Sequence, residues 1–225
     1  MTPLRRHDLA YVGDRAVVCT ESGHPLPPLL QTWLLEWITA GKPLVVTRQK
    51  SSPDVTQPQI QLGAALPLRL GRAKVACSVA GASLARITPA LSTERVSGVL
   101  PARDRRALAR LSGLAESLGI ALGVYGSTAW ECLSGESCRR SDSDVDVICD
   151  VERRDALEPW LCAMEAAARV MEDHLDGEIR FPGGDAVAWR ELARAGLAHG
   201  EMRVLVKSSH SVAFATVGSL MEKLT

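Results

Sequence analysis

Three aspartates alternate with small or apolar residues in Ser141-Asp142-Ser143-Asp144-Val145-Asp146-Val147. On an extended strand alternate side chains share a face, so Asp142, Asp144 and Asp146 point one way while Val145 and Val147 point into a core. Like charges placed this way repel, and a strand gains nothing from them unless a cation sits between. Carboxylates of this kind suit Mg²⁺, which binds one or two of them together with substrate phosphates. Upstream, Gly126-Ser127 ends an apolar run and opens a helical one. Glycine lets backbone approach a ligand closely, and a helix start offers N–H groups to a phosphate. The Ser127 hydroxyl adds a donor. A phosphate cradle followed by a metal-binding pair is the equipment of metal-assisted phosphoryl or nucleotidyl transfer.

A third carboxylate is expected from a neighbouring strand. Asp176 and Glu178 both qualify in Leu175-Asp-Gly-Glu-Ile-Arg-Phe181, and they share a face if the strand includes both. Spacing alone leaves the choice open. Glu178 is favoured because it lies well inside the apolar run, whereas Asp176 precedes Gly177.

These residues need elements to hold them. Pro101 opens a strong helix, with Leu108, Leu111, Leu114 and Leu118 on one face and Gly119 as its stop. Ile120–Tyr125 reads as a strand, Gly126-Ser127 as a turn, and Thr128–Leu133 as a short helix. Gly135–Arg140 is a polar loop and Asp144–Cys149 a second strand. Pro159 is expected to begin a helix through Val170. His174–Phe181 and Ala186–Trp189 flank Pro182-Gly-Gly-Asp185, a hairpin signal. A further strand is expected over Glu201–Val206. Before all this, the chain reads as β-rich: a helix over Leu29–Ala40, a strand over Pro43–Thr47, a loop over 50–59, and strands over Ile60–Leu70 and Arg72–Ala80 around Gly71. Pro89 and Pro101 bracket a linker. The expected division is therefore 1–95, β-rich and smaller, and 96–225, which carries the chemistry.

Composition sets the outer bounds. The chain has 225 residues, 46% hydrophobic and 23% charged, an ordinary globular mixture that excludes disordered or repetitive classes. No run approaches the roughly 20 apolar residues of a membrane helix, and no secretory leader is evident, so a cytoplasmic protein without a membrane is expected. The 26 basic and 26 acidic residues are unevenly spread: residues 1–100 carry a net +5 and residues 101–225 a net −5. Neither half looks built for a polyanion, and aromatics are only 4%. Long nucleic acid is thus not an expected partner. The six cysteines form no CxxC pair, which excludes a zinc ribbon and leaves reduced, structural thiols. Trp130 and Trp189 read as core, and His24, His174, His199 and His210 have no ligand spacing.

Gly126-Ser127 followed by Ser143-Asp-Val-Asp-Val147 resembles the signature of the nucleotidyltransferase superfamily. That resemblance implies an α+β fold, a nucleotidyltransferase-like mixed sheet with packed helices, beside the smaller β-rich N-terminal domain. It also implies a carboxylate triad holding Mg²⁺. Ala129-Trp130-Glu131 replaces the small and basic residues usual after Gly-Ser, which argues against antibiotic-modifying or tRNA-type substrates. A narrower match covers most of the chain. It resembles the phosphoribosyl-dephospho-CoA transferases, or malonate decarboxylase holo-acyl-carrier-protein synthases. The match rests on Arg6-His7-Asp8-Leu9, Pro43 to Arg48, Gly63 to Leu70, Gly126-Ser127, Ser143 to Val147, Asp176 to Ile179, Trp189-Arg-Glu191 and Val204 to Lys207.

The narrower resemblance implies transfer of a phosphoribosyl-dephospho-CoA group from its triphosphate precursor, 2'-(5''-triphosphoribosyl)-3'-dephospho-CoA, to a serine of the apo acyl carrier protein of malonate decarboxylase. Pyrophosphate leaves. It implies metal on Asp144, Asp146 and Glu178, with Asp176 or Glu178 as second-metal ligand or base. Gly126 and Ser127 would hold phosphates. Arg139 and Arg140, before the metal strand, would clamp phosphate unless they are simply a solvated pair. Lys207 would neutralise phosphate charge unless it is a solvated edge lysine, and Arg48 would meet the CoA end unless it makes a surface ion pair. His7 reads as structural. The basic helix with Arg103, Arg105, Arg106 and Arg110 would either steer an acidic carrier or simply be solvated. The alternative is an ATP-dependent nucleotidyltransferase with another acceptor.

Overall fold

A computed structural model describes residues 4–13, 16–20, 24–50 and 58–225. The chain divides into two compact units, Met1–Ala90 and Leu91–Thr225.

The first unit is built on strands β1 (Leu9–Val12), β2 (Cys19–Thr20), β3 (Leu44–Val46), β4 (Gln59–Ala65), β5 (Lys74–Ala80) and β6 (Leu84–Thr88). They form one antiparallel sheet in the order β2-β5-β4-β3-β1-β6. Helix α1 (Pro28–Thr39) buries Leu34, Trp37 and Ile38, and the Trp37 indole donates to the Pro43 carbonyl at 2.9 Å. The strand predicted over Ile60–Leu70 ends earlier, at Ala65. Pro67 has no ladder donor to offer, and Leu68–Leu70 instead forms a 3₁₀ turn closed by Gly71. Of the loop predicted over 50–59, residues 51–57 lie outside the described residues, and Gln59 already opens β4.

The second unit opens with α2 (Thr93–Val96), capped by the Ser92 hydroxyl, and α3 (Ala102–Leu118). The segment between Pro89 and Pro101 is therefore not a loose linker. Leu91 already bridges to Val124, accepting its N–H at 2.7 Å, which ties residues from 91 onward to the second unit. The elements that follow are β7 (Ala121–Tyr125), α4 (Gly126–Ser134), β8 (Val145–Asp150), α5 (Arg154–Val170), β9 (Leu175–Arg180), β10 (Ala186–Ala188), α6 (Trp189–Ala195), β11 (Arg203–Lys207), β12 (Val212–Thr216) and α7 (Val217–Met221). The sheet runs β12-β11-β10-β9-β8-β7, and only β8 and β9 are parallel. A mixed sheet with packed helices and an α+β class are thus what the chain adopts.

One sheet face carries Val124, Val145, Val147, Cys149, Leu175, Ile179, Val187, Val204 and Val206, all buried in one cluster with Leu108 and Leu111 of α3 and Leu157, Trp160 and Met164 of α5. Each large apolar side chain so buried contributes about 1.5–3 kcal/mol. That pull explains α5. The helix starts at Arg154, five residues before the predicted start, and Pro159 lies inside it. An interior proline costs about 3 kcal/mol, but the extra turn buries Ala156 and Leu157 at 1% and 0% exposure. Trp189 begins α6 rather than ending a strand, and both Trp130 and Trp189 are core residues. Strand β12 and helix α7 carry no clear sequence signal, because Val212 and Phe214 are apolar yet exposed. No described helix is long and apolar enough to cross a membrane, and the six cysteines are free thiols.

Candidate functional site

The other face of the second sheet carries the acids. Strand β8 sends Asp146, Ile148 and Asp150 there, because Val145, Val147 and Cys149 fill the opposite side. Burial pushes the Cys149 thiol up to about 12, with the Asp150 charge adding to the rise and Arg180 opposing it, so this sulfur stays protonated. Strand β9 runs parallel in register: Asp146 faces Asp176, Ile148 faces Glu178 and Asp150 faces Arg180. Asp176, Glu178 and Arg180 therefore share the acid-bearing face.

The turn into α4 closes over Asp146. Tyr125 is the register partner of Asp146 across β7 and β8. The next residue, Gly126, has φ +68°, and a Cβ there would stand 1.9 Å from Asp146 Oδ2. Only glycine lets the backbone pass this carboxylate. The helix begins at Gly126 itself, two residues before the predicted start, and Tyr125 gives it no side-chain cap. Ser127 is half-buried in this first turn. Thr128, next in line, is fully buried with no hydrogen-bond partner for its hydroxyl.

A second close approach sets β9. Gly177 has φ +145°, and a Cβ there would stand 2.0 Å from the Val147 carbonyl oxygen. This glycine lets Asp176 and Glu178 sit on a strand pressed against β8.

The remaining candidates are placed as follows. Asp144 precedes β8 and is exposed, with His174 Nδ1 3.4 Å from its Oδ1. Asp142 lies in the turn before it, where Arg140 N–H donates to the Ser143 hydroxyl at 2.9 Å. The strand alternation expected for all three aspartates thus holds only from Val145 onward, because that turn breaks the extended backbone. Glu178 is buried and paired with Lys207 at 2.9 Å. Arg139 donates to Glu131 Oε1 from Nε and Nη2, at 3.3 and 3.1 Å, and also to the Val99 carbonyl. Burial alone would raise the Glu131 pKa, but N–H donors from Cys138 and Arg139, with the Arg139 guanidinium, outweigh it and hold the carboxyl below its usual value. Arg140 is exposed, as is Arg48 in the first unit. His7, also in the first unit, takes φ +73° and donates its N–H to the Val46 carbonyl.

The residue that sequence reasoning missed is His174. Its signal is the parallel register: if Asp176 faces Asp146, then His174 must face Asp144.

The donor set on this face is carboxylate oxygen, which suits a hard divalent cation. Among the described residues no three acid, histidine or cysteine side chains are gathered as metal ligands. Asp144 is turned to His174 and Glu178 to Lys207, while Asp146 and Asp176 are register partners on the acid-bearing face.

Comparison with known proteins defines the class as a transferase. Residues 88–217 match the family described as phosphoribosyl-dephospho-CoA transferase MdcG, C-terminal domain, and residues 5–90 match its N-terminal domain. The chain belongs to the phosphoribosyl-dephospho-CoA transferase family. Relatives named phosphoribosyl-dephospho-CoA transferase include one from Xanthomonas campestris pv. campestris (strain 8004), 31% identical over 80% of this chain and 85% of that protein. One from Bradyrhizobium diazoefficiens is 29% identical over 93% of this chain and 89% of its own length. Another, from Pseudomonas aeruginosa, is 30% identical over 83% of each. No solved structure matches.

Proposed function

We propose that this chain transfers the phosphoribosyl-dephospho-CoA group from its triphosphate precursor to a serine of the apo acyl carrier protein of malonate decarboxylase. The serine oxygen bonds to the α-phosphorus, the bond from that phosphorus to the bridging β-phosphate oxygen breaks, and pyrophosphate departs. The seating of Gly126 over the Asp146 carboxylate carries this reading. It sets the first turn of α4, the natural seat for phosphates, against the acid that anchors the reaction.

Asp146 and Asp176, with Asp144 beside them, are the residues that would hold Mg²⁺. Bound there, the ion would neutralise charge on the triphosphate and on departing pyrophosphate. Asp176 takes the third-carboxylate role in this reading, since Glu178 is buried against Lys207. Gly126 and Ser127 orient the phosphates through backbone and hydroxyl donors. Arg140 and Lys207 add positive charge, whereas Arg139 positions the loop by holding Glu131. The serine proton passes to a carboxylate of the same face. The work is done in the cytoplasm.

The test is mass spectrometry of apo carrier incubated with enzyme, Mg²⁺ and precursor, with pyrophosphate measured in parallel. The carrier should gain one prosthetic group per pyrophosphate released. Pyrophosphate release with ATP and an unchanged carrier would overturn the reading.

A further inference from the structure

An aromatic platform lies on the acid-bearing face, at the far edge of the second sheet. Strand β12 is the edge strand, and its Phe214 is 60% exposed. Register fixes which way Phe214 points. Lys207 is opposite Val212 and Leu205 is opposite Phe214. Lys207 reaches Glu178 on the acid-bearing face, so Leu205, Val212 and Phe214 project from that face too. Arg203, two residues before Leu205, lays its guanidinium 5.3 Å from the Phe214 ring centroid.

Leu205 stands opposite Phe214 and Ala188 opposite Glu178, and the β10–β11 ladder between these two pairs ends one residue short of joining them, at Val187 and Val206, where the Leu205 N–H turns to Glu191 Oε1. At about 4.8 Å per strand, Phe214 stands about 14 Å from the Glu178 strand and about 19 Å from β8, which carries Asp146. Ala188 and Leu205, between them, are half-buried. This stretch of the acid-bearing face leads from Glu178 to an exposed ring backed by a cation. An exposed phenylalanine costs hydration and contributes nothing to the core, whereas an aromatic ring and a guanidinium together form a stacking surface for a nucleobase.

We propose that Phe214 and Arg203 form the purine subsite of the donor, with the adenine of the dephospho-CoA moiety stacked on this platform while the triphosphate lies at Gly126 and Asp146. This rests on the transfer reaction proposed above. In that donor two linked pentoses separate the triphosphate from the purine, and the sugars together with the extended triphosphate span the strands between Phe214 and Asp146. Arg203 also supplies positive charge where the diphosphate of the CoA arm leaves the adenosine.

The test separates this subsite from the reaction itself. Calorimetric binding of dephospho-CoA, which carries the purine but no triphosphate, is measured for the full chain and for Phe214→Ala and Phe214→Trp. Phe214→Ala should bind about tenfold or more weakly, the loss expected of one base–aromatic stack. Phe214→Trp should retain affinity, and dephospho-CoA should quench the fluorescence gained with the new indole. In the transfer assay Phe214→Ala should raise KM for the donor far more than it lowers kcat, with KM for the carrier unchanged. Equal dephospho-CoA affinity in Phe214→Ala and the parent chain overturns the proposal. So does a rise in carrier KM alone, which would make this face the acceptor's. If the parent chain binds dephospho-CoA through Phe214 yet modifies no carrier, the subsite stands and the proposed reaction falls.

Discussion

Gly126 lies so close over Asp146 that a Cβ on the glycine would stand 1.9 Å from the carboxylate oxygen Oδ2. The turn into α4 and the Asp146 carboxylate are therefore one unit. Gly126→Ala meets two penalties, the left-handed backbone at φ +68° and the clash with Asp146. The backbone alone costs about 1–2 kcal/mol. Transfer should fall at least a hundredfold, with a loss of stability of about 2 kcal/mol or more seen in urea unfolding. Parent-like transfer by this variant would break the coupling of turn and acid.

The acids should rank by their place on the face. Asp146→Asn is expected to abolish transfer with the fold intact, since Asp146 is half-buried against the first residue of α4. Asp144→Asn should cost less, because Asp144 precedes the strand and is exposed. Single-turnover rates with circular dichroism as the folding check give the order. A larger loss for Asp144 than for Asp146 would move the reaction centre to the strand's entrance.

Asp176 and Glu178 separate cleanly by substitution. Asp176 is half-exposed and faces Asp146, whereas Glu178 is buried with Lys207. Asp176→Asn should remove transfer and leave melting temperature close to the parent's. Glu178→Gln should lower stability by about 1.5–3 kcal/mol, the worth of a hydrogen bond to a charged group, while retaining measurable transfer. Thermal melts and initial rates on both variants decide it. The reverse pattern would return the third-carboxylate role to Glu178.

Much of this face was legible because strand chemistry is local. Val145 and Val147 had to face the core, so Asp146 had to face away, and Gly-Ser before a helical run marked the turn into α4. The parallel pairing of β8 with β9 was not legible. It is set by packing against α3 and α5, and it alone decides that Asp176, not Glu178, stands opposite Asp146. The same register brings His174 to Asp144, a contact that no spacing in the sequence reveals. Helix α5 begins early because burying Leu157 outweighs the signal of Pro159. Strand β12 was invisible because its outward residues are apolar, so it lacks the polar alternation of a half-buried strand.

Glu131 makes a final, pH-dependent prediction. It stands where the superfamily resemblance leads one to expect small or basic residues, and it anchors the loop before β8. Its carboxylate accepts the N–H groups of Cys138 and Arg139 at 2.9 and 3.2 Å and pairs with the Arg139 guanidinium. Burial pushes its pKa up, the three donors push it further down, and the net value lies below the ordinary 4.5. A carboxyl depressed in the folded state contributes stability that is present above its unfolded pKa and lost as pH falls through the folded one. The loop should thus be held firmly at neutral pH and loosen only in acid, below about 4.5. Glu131→Gln removes the charge at every pH. It should be less stable than the parent at neutral pH, and the gap should close as the parent's own carboxyl is protonated. Hydrogen exchange at the Cys138 and Arg139 amides, followed from neutral to acid pH in both proteins, reads this directly. A gap that persists unchanged into acid would show that the carboxylate charge does not hold the loop.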